Sequence, residues 1–334
     1  MVLPNAIRAG KHVAVLALCL SLAGCFSLGS GGSAGSEAFA SINNDPVLLV
    51  ATTRRPAENL SQSPFFGPER GRGLSFARAR MTPPSRSIAG RVASVVTGGW
   101  RVDRVEDLTQ TDAAAAFSRA AIGQDVLLYV HGYRESFETA ATSAAELAEG
   151  IGFRGAPAIF TWPSGAATFD YGYDRESAMW SRDAFEDLLV ALAQTSSAGR
   201  MHIVAHSMGS QVTLETLRLV RAAGGDAAMS RIGAVVLASP DVDIDLFEQA
   251  VRRLGTDAGK ITVITSSKDR ALRVSQRIAG GVARAGSADR DQLVKLGVRV
   301  ADASDFGGGL INHDLFLSNA EVRAVVKRSV ERER

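Results

Sequence analysis

The segment Met201-His202-Ile203-Val204-Ala205-His206-Ser207-Met208-Gly209 constrains this chain more than any other stretch. A short run dominated by Ile and Val ends in a turn of pattern small–x–Ser–x–Gly. From Gln211 to Arg221, apolar residues recur at Val212, Leu214, Leu217, Leu219 and Val220, which is compatible with a helix. Strand, sharp turn, helix is the setting of a nucleophile elbow, which lifts a serine hydroxyl above the carboxyl edge of a sheet. Ala205 stands where that pattern usually has its first glycine, and alanine is small enough for the turn. The amino end of the following helix directs unpaired N–H groups at charge developing beside Ser207.

The rest of the chain supplies the sheet such a turn needs. From Asp125 onward, the strand candidates are Val126–Val130, Ala158–Trp162, Met201–Ala205, Ala234–Ala238, Ile261–Thr265 and Val298–Ala301. They alternate with helix candidates at Phe137–Glu149, Arg175–Ala193, Gln211–Ala222, Leu246–Arg253, Leu272–Ile278 and Ala320–Val330. Several of the strands are near-continuous apolar runs, as strands buried on both faces are. The alternation predicts a mostly parallel sheet with helices on both sides. Val47–Thr52 is an earlier strand candidate, and Asn59–Ser87, rich in Pro, Gly and Arg, reads as irregular with room for one hairpin. A chain of 334 residues, 46% hydrophobic, can bury its own core without covalent staples.

The amino terminus reads differently. Arg8 and Lys11 precede an apolar run from Val13 to Ala23, too short to span a bilayer and shaped like a signal peptide. It ends in Leu22-Ala23-Gly24-Cys25, which resembles the bacterial lipobox. That resemblance implies a signal peptide over residues 1–24, cleavage before Cys25, and diacylglyceryl on its thiol. Several acyl chains on Cys25 give a durable membrane anchor. Residues 25–44 then form a flexible Gly/Ser tether, and residues 45–334 a single domain. Cys19 lies in the segment to be removed, so no disulfide is expected. The expected location is the bacterial cell envelope, with Phe26 rather than an aspartate after the cysteine favouring the outer membrane or periplasmic face. The formal charge of +2 falls to zero without Arg8 and Lys11, which gives no argument for nucleic acid.

A serine nucleophile needs a base. Beyond the leader, histidine occurs at 131, 202, 206 and 313. His202 lies in the strand and suits a core role. His206 adjoins Ser207 on the turn, where neighbouring side chains point apart. His131 ends a strand and suits shaping the loop after it. His313 remains, in the glycine-rich loop Gly307–Asp314 after the last strand candidate. The acid that orients it should leave a strand end between serine and histidine. Asp269, after Ile261–Thr265, is favoured over Asp241, after Ala234–Ala238. Asp241 and Asp243 both suit the simpler role of capping the next helix. The oxyanion donors expected are the amides of Met208, just after the nucleophile, and Tyr133, after Gly132. The histidines show no ligand pair at helical spacing with carboxylate support, and His202 and His206, four residues apart, sit on strand and turn, so no metal is expected.

Taken in order, Val130-His131-Gly132-Tyr133, Thr161-Trp162-Pro163-Ser164, Ala205-His206-Ser207-Met208-Gly209, Ser239-Pro240-Asp241-Val242-Asp243, Ser267-Lys268-Asp269-Arg270-Ala271-Leu272 and Asn312-His313-Asp314 resemble the α/β-hydrolase superfamily. The likeness runs from Asp45 to the C-terminus and is greatest to a bacterial family of largely uncharacterised esterase/lipase-like proteins. An early Phe66-Gly67-Pro68-Glu69-Arg70-Gly71 belongs to the same likeness. It implies an α/β-hydrolase fold and a serine hydrolase acting on ester or acyl small molecules or lipids through an acyl-enzyme, without cofactor. An acyltransferase or thioesterase with the same triad, and a non-catalytic envelope lipoprotein on a hydrolase scaffold, are the alternatives.

A helix candidate begins within a few residues of Ala238, which leaves no room there for a large cap. Phe65, Phe66 and Phe76, and a second group of Phe169, Tyr171, Tyr173 and Trp180, are candidate pocket walls or ordinary packing. Arg54, Arg55, Arg70, Arg72, Arg78, Arg80, Arg86 and Arg91 crowd one segment and read as a solvated face, suited to anionic headgroups.

Overall fold

In a computed structural model the chain is described over residues 46–84, 99–108, 124–165, 170–194, 199–307 and 312–333. The expected leader, Cys25 and tether lie outside the described residues, as do Arg86, Arg91 and Phe169. Among the described residues nine strands form one sheet: β1 (Val47–Pro56), β2 (Phe66–Thr82), β3 (Arg101–Leu108), β4 (Val126–Val130), β5 (Ala156–Thr161), β6 (Met201–His206), β7 (Ile232–Ala238), β8 (Ile261–Thr265) and β9 (Arg299–Asp302). Their order is β3-β2-β1-β5-β4-β6-β7-β8-β9. Pairing is antiparallel through β1, β2 and β3 and parallel from β1 to β9.

The helices are α1 (Phe137–Gly150), α2 (Tyr171–Trp180), α3 (Arg182–Gln194), α4 (Gly209–Met229), α5 (Ile244–Leu254), α6 (Arg270–Ile278), α7 (Arg290–Val294), α8 (Leu315–Ser318) and α9 (Ala320–Arg332). Two-residue alternation along each strand divides the core. Val126, Leu128, Val130, Ile203 and Ala205 face one layer with Phe185 of α3, Val212 and Leu217 of α4, and Phe247 of α5. Leu127, Tyr129, Val204 and Val236 face the other, with Phe137 of α1, Phe316 of α8 and Val326 of α9. Both faces of β4, β6, β7 and β8 are therefore dry, which accounts for their largely apolar sequences.

Several boundaries depart from expectation. The segment expected to be irregular contains β2, seventeen residues long, paired to both β1 and β3. Only Phe66, Ala77, Ala79 and Met81 of β2 are buried, so its apolar signal is thin. The single helix expected over Arg175–Ala193 is two, α2 and α3. At the break, Ser181 Oγ donates to the Ser177 carbonyl at 2.8 Å and meets Thr53 Oγ1 of β1 at 2.7 Å. Helix α4 continues past Ala222, with a non-helical Gly225 at φ 53°. The edge strand β9 begins at Arg299, one residue later than expected.

The parallel strands deliver their carboxyl ends to one edge of the sheet. The chain winds one way from β4 to β5 and the other way from β4 to β6, so this edge opens at a topological switch point. At that point α4 approaches β4 closely: a Cβ on Gly209 would lie 2.3 Å from the His131 carbonyl oxygen and 2.8 Å from that of Val130. Both obstacles are backbone. Gly209→Ala is therefore expected to cost about 1–3 kcal/mol, read as a lowered midpoint of urea denaturation.

Candidate functional site

Strand β6 is buried throughout and ends at His206. The chain then turns through Ser207 at φ 50°, a left-handed conformation that costs a non-glycine residue about 1–3 kcal/mol. The turn is over-determined by backbone bonds. Ser207 N donates to the Ala238 carbonyl at 2.9 Å, and the Ser207 carbonyl accepts from Ser210 N at 3.0 Å and Asp241 N at 3.1 Å. Helix α4 starts two residues later, so its positive end faces the turn.

The loop after β4 lies directly over this turn. A Cβ on Gly132 would sit 3.0 Å from His206 Nδ1 and 3.0 Å from Ser207 Cβ, so a side chain there would press on the turn and glycine lets the loop come this close without displacement. Arg134 follows at φ 63°, with its amide donating to Asp174 Oδ2 at 2.9 Å. His131, buried, stacks on Trp162 with ring centroids 4.5 Å apart. Its Nδ1–H donates to the Gly132 carbonyl at 2.8 Å, and its Nε2 accepts from Trp162 N at 3.1 Å. Burial, reinforced by Arg54, pushes the His131 imidazole down to about 3, so it stays neutral and holds shape rather than protons.

Arg54 corrects the expectation that it belongs to a solvated arginine face: it is only 1% exposed. Its Nε donates to Thr161 Oγ1 at 2.7 Å and its Nη2 to the Glu135 carbonyl at 2.7 Å, with His131 Nε2 at 3.3 Å. Burial lowers the guanidinium to about 10, opposed by Asp174, Glu138 and Glu135, so it remains a cation at neutral pH. One side chain of β1 thus ties β5 to the loop over Ser207. Its sequence signal was position, immediately beyond the apolar run of β1.

At the ends of β7 and β8 the two candidate acids have different partners. His313 Nδ1 lies 2.7 Å from Oδ2 of Asp269, which is fully buried and caps α6 by accepting from Leu272 N at 3.0 Å through Oδ1. Burial disfavours a charged His313, but the charge and hydrogen bond of Asp269 outweigh it and raise the imidazole above its ordinary value, with Asp241 and Asp314 adding to the effect. Asp241 is held instead by Arg284 Nε at 3.1 Å, Ser275 Oγ at 2.5 Å and Tyr171 OH at 3.0 Å. The helix-capping role falls to Asp243, whose carboxylate accepts from Asp245 N and Leu246 N.

His206 is the residue that sequence reasoning set aside. Its ring lies 4.7 Å from that of His313, and its Nε2 donates to the His313 carbonyl at 3.2 Å. His202 is buried, accepting from Ala234 N at 3.1 Å with Asp125 at 3.4 Å, a core role as expected. Phe65 and Phe66 pack on Phe137 of α1, and Tyr173 and Trp180 are exposed beside Arg70. Tyr171 meets Tyr133 edge-on at 5.4 Å. Among the described residues, no group of three or more His, Cys, Asp or Glu is placed to hold a metal, and no helix is long and apolar enough to cross a membrane.

No curated protein matches the chain by sequence. Among solved structures, it is similar to an esterase of Pyrobaculum calidifontis (15% identity, TM-score 0.40, 88% of this chain and 87% of that one). It is also similar to lipase B of Aspergillus fumigatus (13% identity, TM-score 0.44, 68% and 58%) and to a fungal esterase of Rhizomucor miehei (12% identity, TM-score 0.40, 99% and 92%). The family described as alpha/beta hydrolase of unknown function (DUF900) matches residues 107–334. With its parallel sheet, serine turn and histidine–aspartate contact on one edge, the chain belongs to that alpha/beta hydrolase family.

Proposed function

We propose that this alpha/beta hydrolase is a serine hydrolase of carboxylic esters, with Ser207 as nucleophile, His313 as base and Asp269 as orienting acid. The observation that carries the reading is the 2.7 Å contact between His313 Nδ1 and a fully buried Asp269, on the same sheet edge as Ser207 in its left-handed turn. Ser207 Oγ attacks the ester carbonyl carbon while its proton passes to His313 Nε2. Asp269 holds the reactive tautomer and offsets the imidazolium charge. The carbonyl oxygen, now anionic, takes hydrogen bonds from the amides of Met208 and Tyr133 at the positive end of α4. His313 then protonates the departing alcohol, and water, deprotonated in turn by His313, releases the acid from Ser207.

A fluorophosphonate probe applied to the full-length chain in detergent is expected to label it, and Ser207→Ala and His313→Ala to abolish labelling. A folded parent that fails to label would favour a scaffold without catalysis.

The two aspartates are separable. Asp269→Asn is expected to lower kcat by about 10³–10⁴-fold with little loss of stability. Asp241→Asn strands the buried Arg284 and is expected to cost about 3–5 kcal/mol of stability, with a much smaller effect on kcat. A base must be neutral, and Asp269 raises His313. The acid limb of kcat/KM should therefore lie above pH 6.5, the ordinary histidine value, and move down in Asp269→Asn.

Anchoring to the cell envelope through Cys25 is part of the same proposal, supported by the lipobox-like Leu22-Ala23-Gly24-Cys25. Cys25→Ser is expected to abolish incorporation of labelled palmitate and to move the protein out of the membrane fraction.

A further inference from the structure

Resting on the proposed triad, we infer that Glu135 and His206 form a second carboxylate–imidazole pair, in which His206 is an imidazolium that fixes the His313 loop on the nucleophile turn. His206 acts on the reaction through His313 and is thus a positioning residue.

Both ring nitrogens of His206 face acceptors. Nε2 is 3.2 Å from the His313 carbonyl oxygen, and Nδ1 is 3.6 Å from Glu135 Oε1. A neutral imidazole has one N–H. With that proton on Nε2, the lone pair of Nδ1 would point at a carboxylate, whereas the protonated ring presents a donor to each partner. At 3.6 Å the second contact is one of charge rather than a hydrogen bond. Among the described residues neither His206 Nδ1 nor Glu135 Oε2 has a hydrogen-bond partner, and both atoms are buried, a cost that attraction between opposite charges would offset. Glu135 suits the anionic part. Burial pushes its carboxyl up, but His206, His131 and the Gly132 amide outweigh that and hold it below the usual range.

The surroundings balance these charges. Glu135 faces His206 from the loop after β4, with Arg54 of β1 and the neutral His131 behind it. From the other side come His313, backed by Asp269 and flanked by Asp314, and the Phe316 ring of α8 at 4.9 Å. The pair joins three segments: Glu135 Oε1 accepts from Gly132 N at 3.4 Å, His206 adjoins Ser207, and the His313 carbonyl closes the bridge. A cation beside His313 also opposes the pull of Asp269. It favours release of the proton taken from Ser207.

The test uses the full-length chain labelled with ¹⁵N-histidine. At pH 7.5 the His206 signals are expected to show both nitrogens protonated, and Glu135→Gln to convert the ring to a neutral tautomer with its proton on Nε2. In ester hydrolysis, His206→Gln should lower kcat about tenfold with KM little changed. It should also raise the acid limb of kcat by about one unit, because His313 loses a cation and keeps the carboxylate nearby. Adding Glu135→Gln to that variant should bring the limb back. A neutral His206 in the parent at pH 7.5, or a folded His206→Gln with an unmoved limb, would overturn the inference. If the parent hydrolyses no ester, the proposed reaction fails, and the nitrogen signals still decide the charge of His206.

Discussion

The site depends on how closely two strand ends approach one another. Where β4 and β6 run out side by side, the backbone after β4 lies against the serine turn, and the first residue of α4 lies against the backbone of β4. There is no room for a side chain at Gly209, and at Gly132 one would press on His206 and Ser207. This crowding does the work of a covalent link: it holds the loop after β4 against the turn at Ser207. Interiors packed to this density have two discrete arrangements or one, not a continuum. The left-handed Ser207 is tolerated because its amide and carbonyl are already committed to β7 and its following loop.

Electrostatics then sort residues of the same type into different tasks. Two buried aspartates stand at adjacent strand ends. One meets an imidazole, and the other a guanidinium with two hydroxyls. Three buried histidines beyond His313 divide likewise. His131 accepts hydrogen bonds from Trp162 N and lies beside a cation, so it is neutral; His202 is tied to β7 and Asp125 far from the edge; His206 faces two acceptors. Neighbours, rather than residue type, decide each role.

The parallel half of the sheet was legible because burial on both faces writes a continuous apolar run, and the serine turn because small residues bracket it. The choice of Asp269 over Asp241 was made from strand order alone. What separates them in space, Arg284 and the Ser275–Tyr171 pair, comes from helices and a loop with no sequence relation to Asp241. Strands β2 and β3 were unreadable since their outward positions are Arg, Glu and Asp and their inward ones few. His206 was set aside on the rule that adjacent side chains diverge. The contact it makes is with the backbone carbonyl of His313, on a loop that folds back over the turn from far along the chain. Arg54 resembled its exposed neighbours in composition and differed only in lying at the inner end of a central strand.

That placement of Arg54 separates two boundaries that are often assumed to coincide. The family model matches from residue 107, after β1 and β2, although the motif likeness reaches back to the Phe66–Gly71 run. Yet β1 lies inside the sheet, hydrogen-bonded to β5 along one side and β2 along the other, and it supplies the guanidinium under the loop over Ser207. Excision at residue 107 would bare the flank of β5 and remove that support at once. The residues that the family model matches are therefore fewer than those that form the sheet, and the support under the loop over Ser207 reaches back to Arg54 of β1.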